Sequence, residues 1–291
     1  MSPFTHRICI GTAQFGLDYG VANTHGRMSE EEMKAILKYA IGHGVKTLDT
    51  AVAYGNSEEE IGRILKALGR SMDIVSKLSQ GESKLSIRDV VNRSCKRLGA
   101  PKIYGYLLHS FEDYHKKDIV KELQDLKTQG TITKLGVSLY LPSEAQQLLD
   151  ENAQIDIVQM PYSIFDRRFE PFLAQFKKRK IEVYVRSLFL QGLAFLEPAK
   201  LPASLAGARA QLTALKKISS KSGIPINALC LNFGMINPSI DRVIIGVDHL
   251  EHLKVNLSDL RFFAKVKTLV EDLNMTVIED ENILLPFRWK L

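Results

Sequence analysis

The chain has 291 residues, of which 45% are hydrophobic, 25% charged and 8% aromatic, and its formal net charge is +6. This is the composition of a globular protein with ample core material, and it excludes disorder over any long span. The positive excess is modest, and its densest run, Lys177, Lys178, Arg179 and Lys180, reads as a solvated helix end complementing the dipole; no nucleic-acid partner is expected from it.

The opening residues, MSPFTHRICIGTAQFG, lack the apolar segment of a secretory signal. No run of about 18 apolar residues follows, so the expectation is a cytoplasmic protein with no membrane partner. Short apolar, β-branched runs then recur: RICIGTA (7–13), VKTLDTA (45–51), DIVSKL (73–78), IYGYLLHS (103–110), TKLGVSLY (133–140), IDIVQMPYS (155–163), EVYVRSL (182–188) and RVIIGVD (242–248). Amphipathic stretches with helical spacing lie between most of them, among them SEEEMKAILKYAIGHG, SEEEIGRILKALG, SIRDVVNRSCKRLG and DIVKELQDLKTQG. The first two open with Ser29 and Ser57, read as N-caps ahead of glutamates, and glycine ends such stretches as a C-cap.

Most strand-to-strand intervals are about 22 to 39 residues, room for one strand, one loop and one helix. Eight such units predict an α/β fold, a closed (β/α)8 TIM barrel forming a single domain over 1–291. The long interval before the eighth strand should carry a loop over the barrel mouth, LFLQGLAFLEPAKLP, and more than one helix. Residues 257–291 should add a C-terminal helix and a tail. A dinucleotide-binding open sheet is excluded, because the nearest glycine pattern, GHGVKT at Gly42 and Gly44, ends a helix instead of opening one. Cys9, Cys95 and Cys230 are too scattered for a disulfide framework or a zinc site, and His249 and His252 have no further ligand nearby, so no metal is expected.

In such a barrel the chemistry gathers at the C-terminal ends of the strands. Asp49 ends the second strand, Tyr54 follows it in a turn, Lys77 ends the third and His109 the fourth. A lysine ending an apolar strand needs a counter-charge, which Asp49 on the adjacent strand supplies. The ammonium so retained would favour the phenolate of Tyr54 and make that residue a proton donor to a carbonyl oxygen, with His109 helping to position the oxygen. A Schiff-base role for Lys77 would need a neutral amine, which Asp49 opposes. Tyr19, Asp166, Arg167 and Arg186 hint at a polar or anionic substrate.

With these residues in place the sequence resembles the aldo-keto reductase family over nearly its whole length, through GTAQFG, LDTAVAYGNSEEEIG, VSKL, LLHS, GVSLY, VQMPYS, LQGL and IIGVDHLEHLKVN. The resemblance implies catalytic roles for Asp49, Tyr54, Lys77 and His109. It also implies hydride transfer, without a metal, between a nicotinamide cofactor and a small aldehyde or ketone. It further implies carboxamide contacts at Ser138 and Gln159 and an adenine contact at Asn256. Leu139 replaces a frequent asparagine, and Arg186 stands where a tyrosine often stacks on the nicotinamide. His252 aligns with a frequent arginine or glutamine of the 2′-phosphate site, beside Val247 and Asp248. NADP(H) is the expected cofactor, with NAD(H) kept open because a carboxylate at 248 repels a phosphate and suits a ribose hydroxyl. A catalytically weak, cofactor-binding regulatory subunit of the same fold is the alternative.

Overall fold

A computed structural model describes residues 2–18, 28–79 and 86–289. Eight strands form a closed barrel in chain order: β1 (Ile8–Gly11), β2 (Thr47–Asp49), β3 (Asp73–Leu78), β4 (Ile103–Leu108), β5 (Ile132–Ser138), β6 (Ile157–Pro161), β7 (Glu182–Arg186) and β8 (Arg242–Gly246). All neighbours are parallel, and β8 returns to β1 with Ile10 opposite Ile245 and Gly11 opposite Gly246. Side chains alternate across each strand. Cys9, Val75, Leu107, Ile157, Tyr184 and Ile244 make one buried cluster, while their strand neighbours, such as Ile8, Ile10 and Leu108, join the larger core under the helices. The barrel is therefore filled, and ligand space is left at its rim.

The helices form where the amphipathic pattern places them: α2 (Glu30–Gly42), α3 (Ser57–Leu68), α4 (Ile87–Leu98), α5 (Lys117–Thr128), α6 (Pro142–Asp150) and α7 (Glu170–Lys178). Ser29 and Ser86 cap α2 and α4 by accepting from Glu32 N at 3.2 Å and Asp89 N at 3.1 Å. Ser57 departs from the expectation. It is the first helical residue of α3, behind Asn56, and its wholly buried hydroxyl turns to the barrel rim instead of capping the helix. The basic run closes α7, where Lys177 pairs with Asp241 and Arg179 donates to the Leu149 carbonyl at 2.7 Å.

The long interval before β8 holds 3-10 turns at Leu190–Phe195 and Ala203–Ala208, then α8 (Arg209–Ser222) and α9 (Ile226–Ile236). Beyond β8 come α10 (Leu250–Asp259), α11 (Phe263–Lys267) and a tail that returns to the barrel. The return is hydrogen-bonded: Ile278 N donates to the Phe165 carbonyl at 2.9 Å and Thr276 Oγ1 to that of Ile164 at 2.9 Å. The three cysteines are free thiols. Among the described residues no helix is long and apolar enough to cross a membrane.

Candidate active site

Parallel pairing sets Asp49 and Lys77 on adjacent strands at the same end of the barrel. Lys77 Nζ donates to Asp49 Oδ2 at 2.6 Å and to the Thr50 carbonyl at 3.0 Å, and the lysine is only 1% exposed. The second carboxylate oxygen accepts from Gln159 Nε2 at 2.7 Å, a partner 110 residues away in sequence. Burial by itself lowers the lysine's pKa, but Asp49 and Tyr54 together outweigh it and leave the pKa raised. Lys77 is thus a fixed cation, the wrong state for imine chemistry.

Lys77 Nζ lies 5.2 Å from the centre of the Tyr54 ring, and the His109 ring meets that ring edge-on at 6.1 Å. Burial, and then the charges of Lys77 and Arg186, push the His109 pKa down to about 4. Its imidazole is neutral at physiological pH and carries one N–H donor and one acceptor. An acid, an amine, a phenol and an imidazole therefore converge at one rim.

The Tyr54 turn is fastened from below. Thr50 N donates to the Val75 carbonyl at 2.8 Å and Val52 N to that of Lys77 at 3.2 Å. Thr12 Oγ1 donates to the Asp49 carbonyl at 3.0 Å, Thr50 Oγ1 to Ser57 Oγ at 3.1 Å, and Ser57 Oγ reaches the Thr12 carbonyl at 3.0 Å. The turn also presses on the short helix α1 (Ala13–Gly16): a Cβ on Gly16 would fall 1.9 Å from the Tyr54 carbonyl oxygen, so only glycine fits there. Gly55, at φ +56°, backs onto the Gly16 carbonyl in turn.

A cleft of about 790 Å³ opens over these groups. Asp49, Tyr54 and His109 line it, with Lys77 beneath, and so do all six residues singled out for a cofactor: Ser138, Gln159, Arg186, Asp248, His252 and Asn256. Ser138 and Gln159 are paired across β5 and β6. Arg186 lies over the Tyr140 ring at 4.3 Å and donates to the Leu139 carbonyl at 3.0 Å; the Leu139 side chain itself is wholly buried. His252 Nδ1 contacts Asp248 Oδ1. Asn256 Oδ1 accepts from Asn227 Nδ2 at 3.0 Å.

Sequence reasoning passed over Gln14, Tyr140, Asn227, Phe195 and Phe287, which also line the cleft. Asn227 left a signal as a polar residue in the first turn of the largely apolar helix α9. Phe287 is an exposed tail aromatic whose place over the mouth needs the tail's path. Two expected rim residues do not line the cleft. Asp166 is buried and gripped by Arg168 through two contacts of 2.9 Å, because an unpaired carboxylate there would be costly. Arg167 stacks on Phe233 at 4.6 Å and donates to the Leu273 carbonyl at 2.8 Å, tying down the tail. Tyr19 lies outside the described residues. Among those residues no group of three or more His, Cys, Asp or Glu could hold a metal.

A closed parallel barrel with ionisable groups gathered at the C-terminal ends of its strands defines a (β/α)8 barrel with its site in the usual place for that architecture. A model of the Aldo/keto reductase family matches residues 7–274, and the chain belongs to that family. It is 27% identical over 258 residues, 79% of this chain and 83% of the relative, to the uncharacterized oxidoreductase YqkF of Bacillus subtilis. It is 30% identical over 177 residues, 52% of this chain and 54% of the relative, to the NADH-specific methylglyoxal reductase of Escherichia coli. The solved aldo-keto reductase AKR11C1 of Bacillus halodurans shares the fold with a TM-score of 0.75 at 23% identity, over 94% of each chain.

Proposed function

We propose that this chain is a cytoplasmic, NAD(P)H-dependent oxidoreductase that reduces an aldehyde or ketone on a small polar or sugar-like molecule to the alcohol. The observation that carries the reading is the buried Lys77–Asp49 pair beneath Tyr54, with a neutral His109 across the ring. A nicotinamide cofactor held in this cleft would supply the hydride for the carbonyl carbon. Tyr54 gives its proton to the carbonyl oxygen, and the Lys77 charge stabilises the phenolate left behind. Asp49 keeps that charge in place, and the His109 N–H holds the oxygen. In the oxidative direction Tyr54 acts as the base.

The residues present fit such a cofactor. Gln159 spends its Nε2 on Asp49, which leaves its carbonyl oxygen to accept from a carboxamide, with Ser138 beside it. Asn227 and Asn256 offer amide groups at the other part of the cleft. NADPH is the first cofactor assigned, by family resemblance. NADH stands beside it because Asp248 would repel a 2′-phosphate, and the Escherichia coli relative is named NADH-specific.

The test follows nicotinamide absorbance with NADPH and, separately, NADH across aldehydes, ketones and reducing sugars, using wild type beside Tyr54→Phe. Carbonyl-dependent oxidation that vanishes in the variant supports the reductase. The departures at Leu139, Arg186 and Asp248 favour the second reading, a regulatory cofactor-binding subunit. Firm nicotinamide binding with no turnover on any carbonyl would select it.

A further inference from the structure

Among the described residues, the cleft wall carries two carboxylates, each with a nitrogen partner, and one guanidinium with no carboxylate partner. Asp49 is neutralised by Lys77 at 2.6 Å, and Asp248 is engaged by His252. Arg186, at the end of β7 and half-buried, meets only neutral groups among the described residues: the Leu139 carbonyl at 3.0 Å, the Tyr140 ring at 4.3 Å and the Ser187 hydroxyl at a long 3.5 Å. A guanidinium carries five N–H donors in a planar fork, and one of them is well used here. A partly dehydrated cation lying over an aromatic ring without a carboxylate is costly unless a ligand completes it.

The segment that follows adds a second observation. Ser187, Leu190 and Gln191 all take left-handed backbone conformations, at φ 65°, 45° and 50°. Non-glycine residues adopt that region at a cost, and such strain collects at ligand sites. Ser187 and Gln191 thereby line the cleft beside the guanidinium. Arg186 shares the cleft wall with Tyr54 and His109. Arg186 is close enough to His109 to help depress its protonation, so its charge is felt at the proton-donating end where a carbonyl would react.

Resting on the carbonyl-reductase reading, we propose that Arg186 determines substrate class: it binds a carboxylate or phosphate carried by the carbonyl substrate and selects anionic carbonyls over neutral ones of similar size. Bidentate pairing of the fork with two anion oxygens gives the orientation, and the Tyr140 ring beneath it and the Leu139 carbonyl hold the guanidinium in place.

The experiment compares matched pairs, 4-oxobutanoate with butanal and glyceraldehyde 3-phosphate with glyceraldehyde, in wild type, Arg186→Met and Arg186→Lys. Wild type should prefer one or both anionic members. In Arg186→Met the anionic-over-neutral ratio of kcat/KM should fall by about 10- to 100-fold, with Arg186→Lys between the two. A ratio near one in wild type, or a ratio that does not change in Arg186→Met, overturns the proposal. An equal loss on both members together with weaker nicotinamide binding, read by fluorescence titration, assigns the charge to the cofactor and also overturns it. The carboxylate and phosphate pairs separate the two anion chemistries. Calorimetry with succinate and with inorganic phosphate decides the matter without turnover: binding to wild type that is lost in Arg186→Met supports the anion site even if no carbonyl is reduced, and no binding of either anion, with or without nicotinamide, overturns it. Turnover of neutral carbonyls without any anion preference would leave the reductase standing and remove the Arg186 claim alone.

Discussion

Lys77 Nζ and Asp49 Oδ2 lie 2.6 Å apart, with side chains 1% and 6% exposed. An ion pair so completely removed from water is held by two further bonds, from Lys77 to the Thr50 carbonyl and from Gln159 to the free carboxylate oxygen. Asp49→Asn would leave the ammonium buried without a counter-charge, and breaking such a pair typically costs about 3 to 5 kcal/mol. Urea unfolding should show a loss of that order, and a change below about 1 kcal/mol would contradict the pairing. The Lys77 pKa is raised in the fold. Its contribution is therefore fully present below the ordinary lysine range and is lost as pH rises through the folded value.

Tyr54→Phe removes one oxygen from a partly exposed ring and should leave stability nearly intact. Carbonyl reduction should fall by about 10² to 10⁴, the usual contribution of a well-placed general acid. Single-turnover absorbance with reduced nicotinamide bound in advance checks this. Turnover within a factor of about three of wild type would remove Tyr54 from the proton-transfer role.

His109 should titrate near pH 4 by proton NMR of its imidazole. Burial is the largest cause and Lys77 and Arg186 follow it, so Lys77→Met should raise the value only part of the way to 6.5. A depressed folded value means that the unfolded chain binds the proton first. Stability therefore falls as pH drops from about 6.5 to about 4, by up to about 3 kcal/mol. The acid limb of kcat/KM should show no His109 step at pH 6.5; a step there that disappears in His109→Gln would contradict the neutral-imidazole account.

The barrel was legible because its eight strands are short apolar runs, most of them separated by one helix-length of chain, and parallel pairing then brings Asp49, Lys77 and His109 to one rim. What stayed hidden depends on direction and on distant partners. Ser57 reads as a helix cap by composition, yet the tight turn at Tyr54–Gly55 rotates it inward to Thr12 and Thr50. Asp166 and Arg167 read as rim groups, yet the returning tail and Arg168 absorb them. Gln159 is expected as a ligand contact through the family resemblance alone; its bond to Asp49 crosses the barrel and leaves no trace in local spacing.

The contact between Gly16 and the Tyr54 turn separates positioning from chemistry. Gly16→Ala would set a methyl 1.9 Å from the Tyr54 carbonyl oxygen, and backbone on both sides leaves no flexible group to yield. The turn must move, at about 1 to 3 kcal/mol. Circular dichroism should report an intact barrel while kcat falls by at least tenfold, since a displacement of about 1 Å at a proton donor costs on the order of 10²-fold. Ser57→Ala should lose about 1 to 3 kcal/mol by leaving the Thr50 hydroxyl without its buried acceptor. Full activity in Gly16→Ala would show that the turn does not set the position of Tyr54.

Asp248 offers the sharpest discrimination between the two cofactors, because the charge change is large and the fold need not respond. The residue lines the cleft and His252 engages one of its oxygens, so the carboxylate is held in place. At about 4 to 6 Å and an effective dielectric near 20, repulsion between this carboxylate and a phosphate amounts to several kcal/mol before solvent and salt screening. Asp248→Ser should therefore raise the ratio of kcat/KM for NADPH over NADH by about tenfold or more, and the gain should shrink as salt is added. Substitution of His252 by Ala alone should move the ratio the other way, since the carboxylate then loses the ring that engages it. If the ratio is unmoved in Asp248→Ser, the 2′-position of the cofactor does not reach this part of the cleft, and the preference must be sought at other residues.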